Sequence, residues 1–294
     1  MTRFYREARL RIRIRNKDFT GYIETIEITG LRVSFSIVKS LAWSTNSAVV
    51  KIYNLNANHR NLIKDYGDEV TLYAGYQLDG GPQVLFVGDT TAVYHVFEFP
   101  EIISVLECAD GDKFINQLRV AVSFAENTSA RDIITAIAIQ MGIPYDPLPS
   151  TDNLVYRQGF EFVGMGKDAL SIVCAKLNLQ WSVQNQRLQV IPLNGTIVQQ
   201  PITVNGHTGM IGIPQRYTYR RIDLYRALDA PLTGYKVNMN LTPRISPGSR
   251  IILESQALNN IRGDYRVENV RHDGDTFGFV WITQLETTEL VGIR

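Results

Sequence analysis

The side chains able to do chemistry are few and badly spaced for it. The sequence holds four histidines (His59, His95, His207 and His272) and two cysteines (Cys108 and Cys174). No histidine stands at metal-ligand spacing from another histidine or a cysteine. His272, Asp273 and Asp275 carry the residue types of an acid–base set, yet the Asp-Gly-Asp run is equally what a tight hairpin turn requires of its backbone. Gly164-Met165-Gly166-Lys167 comes nearest to a phosphate loop. The G-x-x-x-x-G-K-[ST] spacing is absent, and Asp168 stands where a hydroxyl should; glycines at a tight helix start account for the run. There is no G-x-S-x-G elbow and no carboxylate pair with an acid–base division. The expectation is a chain without catalysis, cofactor or metal.

Patterned cations and aromatics are the stronger signal. Arg9, Arg11, Arg13 and Arg15 alternate with Leu10, Ile12 and Ile14, so a strand would put every arginine on one face. Such a face could meet phosphates, or pair with carboxylates such as Glu24, Glu27 or Asp68 across a subunit boundary. A second cluster, Arg216, Tyr217, Tyr219, Arg220, Arg221, Tyr225 and Arg226, is rich in the residue types that dominate protein interfaces. Arginines interleaved with aromatics also suit single-stranded nucleic acid. The protein-interface reading is preferred for Arg11, Arg13, Arg15, Arg216, Tyr217, Tyr219, Arg220, Tyr225 and Arg226.

The elements that must position these residues are mostly strands. Residues 9–15, 22–28, 31–38, 47–55, 68–76, 82–96 and 101–110 are β-branched or aromatic runs broken by Gly, Ser and Asn. They leave no room for crossover helices, which predicts an antiparallel barrel or sandwich. A short helical turn fits residues 56–67, ending at Gly67. Residues 127–144 follow helix grammar: Thr128 or Ser129 as cap, an Ile133–Ile134–Ile137–Met141 stripe, and a stop at Gly142 and Pro144. A second helix fits residues 166–179 with Leu170, Val173, Cys174 and Leu177 inward. A hairpin then turns at Asn185–Gln186. Beyond residue 200 the chain returns to strands, interrupted by a Pro/Gly-rich stretch at 228–248 that is expected to be a long, functional loop.

The predicted organisation is a β-barrel over 1–110, a small α+β domain over 111–195 and a second, similar β-barrel over 196–294. The fold class is therefore mostly β with a small α+β insert, the two antiparallel barrels flanking it. The two ends share a pattern: a short strand, a long strand reaching a histidine, and a paired return strand. Two such units per chain, three chains to a ring, would match a threefold object to a sixfold one.

The 294 residues carry a net charge of +1 and a hydrophobic fraction of 45%. Folded domains are expected, with no global pull toward nucleic acid or anionic membrane. Two distant cysteines predict buried free thiols rather than a disulfide. No stretch suits a signal peptide or a membrane span, so a chain soluble and cytosolic when made is expected.

Residues 46–77 (NSAVVKIYNLNANHRNLIKDYGDEVTLYAGYQ) followed by VLFVGDTTAVYH resemble the first barrel of baseplate hub proteins of tailed phages. Gly67 to Tyr76 gives that family's G…V.L.AGY strand, and Leu85 to Gly88 its lF.G strand. The C-terminal RGDYRVENVRHDGDTFGFVWITQLE resembles the family's final hairpin through Gly263, Tyr265, Val267, His272, Gly274, Asp275, Thr276 and Trp281. Residues 168–192 are similar to the small domain between the barrels. The resemblance implies a homotrimeric hub of a phage tail, contractile or non-contractile, assembled in the host cytoplasm and located in the virion. Six barrels would continue the tail tube protein on one side and hold the central spike protein on the other. Tape measure and other baseplate proteins would be further partners, with DNA only in transit and no membrane contact. A tube that lets DNA slide should not grip phosphates, which again favours protein partners for the arginines. A cell-wall-binding or peptidoglycan-hydrolysing tail accessory, or the hub of a contractile secretion or bacteriocin machine, are the alternatives.

Overall fold

A computed structural model describes residues 5–16, 18, 21–42, 44–63, 66–148, 154–223, 225, 228–256 and 261–290. The first unit comprises β1 (Arg6–Arg15), β2 (Tyr22–Ile28), β3 (Val33–Ser40), β4 (Asn46–Tyr53), α1 (Ala57–Leu62), β5 (Glu69–Tyr76), β6 (Gly81–Glu98) and β7 (Glu101–Asp110). The alternation read in β1 is real: Leu10, Ile12 and Ile14 are wholly buried while the arginines face outward. Inward residues of β3, β4, β5 and β6 complete one core, among them Ile37, Val50, Ile52, Leu72 and Phe86.

The insert comprises α2 (Asp112–Asn116), β8 (Arg119–Phe124), β9 (Thr128–Ser129), α3 (Ala130–Gln140), β10 (Val155–Tyr156), β11 (Phe160–Met165), α4 (Gly166–Lys176), β12 (Leu179–Gln184) and β13 (Arg187–Pro192). Ser129 caps α3 by accepting from the Asp132 amide at 3.1 Å. The predicted stripe of Ile133, Ile134, Ile137 and Met141 is buried, and packs with Leu170, Val173 and Cys174 of α4 in a separate core. The turn between β12 and β13 has φ of 53° at Asn185 and 60° at Gln186. This left-handed pair is what a two-residue hairpin turn needs. Both cysteines are buried and in no disulfide.

The last unit comprises β14 (Ile202–Val204), β15 (Met210–Asp223), β16 (Leu228–Asn240), β17 (Arg250–Ser255), β18 (Ile261–Asp275) and β19 (Trp281–Glu289). Its core holds Val237, Met239, Ile251, Leu253, Val267 and Leu285. Here the loop expected at 228–248 is corrected. Its first part is strand β16, which pairs antiparallel with β15 and, over residues 236–240, with β19. Pro231 is tolerated because it lies in the part of β16 paired on one side only. Gly234 is demanded by close approach: a Cβ there would stand 1.6 Å from the Thr287 carbonyl oxygen.

The expected pair of barrels is also refined. Among the described residues, hydrogen bonding joins both units in one 13-stranded sheet, with path β15-β16-β19-β18-β3-β4-β7-β6-β5-β1-β2, with β17 beside β18 and β14 beside β17. The joint is β18. Its first half pairs with β17, and residues 269–275 pair with residues 34–40 of β3. The edge of β3 that a closed first barrel would use for itself is thus occupied by the other unit. Trp281 of β19 is 1% exposed and meets Phe35 edge-on at 5.4 Å, inside the first core. Arg32 clamps the seam, donating to Asp275 at 2.8 Å and lying 4.3 Å over the Tyr53 ring.

Candidate assembly surface

The arginine face of β1 is built into an ion-pair lattice with β2, β5 and β6. Arg11 Nε donates to Glu27 at 2.5 Å, across the β1–β2 pair. Arg13 Nε donates to Glu69 at 2.8 Å, and Tyr22 donates its hydroxyl to the other oxygen of that carboxylate at 2.7 Å. Arg15 reaches Asp89 at 3.0 Å, and its backbone amide donates to Asp68 at 2.9 Å. The Arg13 guanidinium lies 4.3 Å from the Tyr22 ring centroid. Burial, then the bond to Glu69, pushes the Tyr22 hydroxyl up to about 12. The pairing expected across subunits with Glu27 is therefore made within one chain, because β1 is flanked on both edges by its own carboxylate-bearing strands, while Asp68 is engaged by the Arg15 backbone amide. Glu24 is exposed, opposite Ile14 in the register.

The Tyr/Arg cluster divides. Arg216 and Arg220 are exposed on β15, and Tyr217 and Tyr219 are half-buried. Lys236 lies 5.1 Å over the Tyr217 ring. Burial holds the hydroxyls of Tyr217 and Tyr219 above their ordinary range. Tyr225 donates to Asp168 of α4 at 2.8 Å, tying the third unit to the insert. Arg226 lies outside the described residues. Arg221 leaves the surface group: it is 8% exposed, and its guanidinium lies 3.4 Å from Glu268.

Other parts of the surface were missed in the sequence. The hairpin between β6 and β7 ends in Phe97 and Phe99, 68% and 88% exposed, and that between β18 and β19 in Phe277 and Phe279, 74% and 101% exposed. Four antiparallel steps separate β18 from β6 through β3, β4 and β7, so the two strands run parallel and both tips lie at one end of the sheet. The signal was legible: aromatic residues in FEFP and TFGF sit where turns are ordinarily polar. Arg266 and Glu268, 1% and 0% exposed, were also missed; nothing in a polar RVEN stretch announces burial.

The four histidines stand in separate surroundings. His272 is buried, with Nδ1 2.9 Å from the Thr283 hydroxyl, and burial beside Lys39 lowers it to about 3. His95 Nδ1 lies 3.1 Å from Ser104. Asn56 caps α1 through the His59 amide at 2.8 Å, and His207 sits exposed on an Asn205 turn. Among the described residues no group of three metal-ligating side chains converges. Gly166 is a packing glycine, since a Cβ there would meet Met141 Sδ at 2.5 Å. No helix among the described residues is long and apolar enough to cross a membrane.

The fold is that of bacteriophage tail proteins. A tail protein from Neisseria meningitidis MC58 superposes with a TM-score of 0.65 at 11% identity, covering 96% of this chain and 97% of that one. The 43 kDa tail protein of prophage MuSo2 from Shewanella oneidensis gives 0.64 at 8% identity, covering 97% and 98%. The E. coli c3393 protein, a component of the type VI secretion system similar in structure to T4 tail proteins gp27 and gp5, gives 0.58 at 10% identity over 88% and 73%. No protein-family model and no curated protein matches the sequence.

Proposed function

We propose that this chain is a non-catalytic structural subunit of a phage tail, the baseplate hub. As a homotrimer, its two β units per chain form a ring of six similar units around a channel that passes DNA. One face docks the tail tube protein and the other the central spike protein, with tape measure and other baseplate proteins as neighbours. The observation that carries this reading is the internal repeat. Two β units of the same strand order, running the same way, are fused side by side through β3 and β18. A chain that already contains one unit-to-unit joint is half-way to a closed ring, and closing the ring covers the outer edge of the terminal strand β15.

The paired aromatic tips support one docking face. With Phe97 and Phe99 on one tip and Phe277 and Phe279 on the other, a trimer would carry six aromatic tips around one rim, enough exposed apolar surface to seat a ring of tube subunits. The test is co-sedimentation with purified tube and spike proteins. Phe97→Ser together with Phe277→Ser should abolish binding to one of them and leave the trimer's mass unchanged. Undiminished binding to both would remove these tips from the docking face. The likeness to c3393 favours a second reading, the hub of a contractile secretion machine, in which the same ring passes no DNA.

A further inference from the structure

The joint inside the chain is also a template for the joint between chains. Strand by strand, β3-β4-β7-β6-β5 of the first unit matches β15-β16-β19-β18-β17 of the third. The match holds at single residues. β6 is bulged between Thr90 and Ala92 against β7, and β18 between Val267 and Asn269 against β19. Setting the bulges level puts His95 on His272. Each of these histidines faces a hydroxyl residue across the ladder, Ser104 and Thr283 respectively. The same alignment puts residues 92–96 of β6 on residues 269–273 of β18, and residues 215–219 of β15 on residues 36–40 of β3.

These two segments differ from their counterparts in being uncovered. Residues 269–275 of β18 are flanked by β19 on one edge and β3 on the other. In β6, β5 stops pairing at Asp89, so among the described residues 92–98 have β7 alone. Among the described residues β15 is the terminal strand of the sheet, with β16 alone. The edge of β6 carries Tyr94, 46% exposed, and that of β15 carries Ile211 and Ile213, 44% and 51% exposed. Long apolar free edges are an aggregation hazard that folded proteins cap.

We propose that these edges cap each other between two copies of this chain. Residues 215–219 of one copy add antiparallel to residues 92–96 of the next, in the register Ala92 to Tyr219, Val93 to Thr218, Tyr94 to Tyr217, His95 to Arg216 and Val96 to Gln215. The contact is head-to-tail, using a different edge on each copy, and it repeats the internal β18–β3 pairing residue for residue. It rests on the hub reading above and deepens it, giving Arg216, Tyr217 and Tyr219 a defined partner strand.

Directly opposed residues of an antiparallel pair have Cα atoms about 4.5–5.5 Å apart, within disulfide reach. The test uses the full chain with Tyr94→Cys, Tyr217→Cys, both, and an internal control, Val38→Cys with Arg271→Cys, which are opposed in the existing joint. Under mild oxidation the control closes within one chain. The double variant should yield covalent dimers and trimers, and a mixture of the two single variants should yield dimers, while neither single variant does so alone. A trimeric mass by light scattering without these cross-links would overturn the register and leave the hub reading intact. A monomeric mass without cross-links would overturn both. Cross-linking of Tyr94→Cys to itself would overturn the head-to-tail arrangement.

Discussion

Replacing Glu268 by Gln should be among the most damaging single changes in the third unit. Its carboxylate is fully buried, and one oxygen accepts from Arg266 Nε at 2.7 Å and from the Thr288 hydroxyl at 2.7 Å, with Arg221 at 3.4 Å. Arg266 also donates to the Leu193 carbonyl at 2.6 Å, and Arg221 to Asn194 at 3.0 Å, so the triad ties the connection from the insert onto the sheet. Glu268→Gln keeps the shape and a carbonyl acceptor but leaves two buried cations facing one another without an anion. Breaking a buried pair by removing one partner costs about 3–5 kcal/mol. At about 2–4 °C per kcal/mol for a cooperative unit of this size, the melting temperature should drop by roughly 10 °C. The measurement is calorimetry, supported by urea unfolding. A triple variant, Arg221→Met, Glu268→Leu and Arg266→Met, should recover most of the loss, because apolar replacement of a whole buried ion group is often neutral. A Glu268→Gln variant within about 1 kcal/mol of the parent would refute the reasoning, as would a triple variant no better than the single.

Opposed pH effects should be separable at the seam between units. Burial lowers His272 from 6.5 to about 3, so the unfolded chain takes up a proton the folded chain refuses, and stability falls as pH drops through that range. Burial raises Asp110 from 3.8 to about 6, although Lys39 and hydrogen bonds from Asn46, Gln186 and Asn185 oppose it. The folded chain holds that proton, so stability rises as pH drops from about 6 to 4. The two slopes, each up to about 1.4 kcal/mol per pH unit, cancel in that window. Relative to the parent, His272→Gln should gain stability on acidification from pH 6 to 4 and Asp110→Asn should lose it, read as urea midpoints; parallel profiles in all three would sink the assignment. Gly234→Ala should cost more than about 2 kcal/mol, since Thr287 is fixed by its pairing with Val267 of β18 and by hydroxyl bonds to the Tyr235 backbone, so its carbonyl cannot move aside freely. Gly206→Ala, with open space around the new methyl, should be close to neutral in the same melt.

What the sequence made legible followed strong periodicity. The period-2 pattern of β1 named its buried and exposed faces, and the cap and stripe of α3 appear where Ser129 and Ile133 predicted. Misreadings came from long-range pairing. Pro231 and Gly234 look like loop residues until β15 and β19 lie beside them. Arg11 and Arg13 look unpaired along the chain because Glu27 and Glu69 reach them only through the sheet. Arg221 looks like a surface arginine because its partner, Glu268, is distant in sequence and carries no local sign of burial. The repeat itself was visible as a pattern of strands and histidines. The β18–β3 joint that fuses its two halves was not, because a strand's choice of second neighbour leaves no local trace.

The central claim is assembly, and absolute mass in solution tests it most directly. Light scattering behind a sizing column, over a range of concentrations, should give a mass near three chains of 33.2 kDa each. A single-chain mass at every concentration would contradict the account.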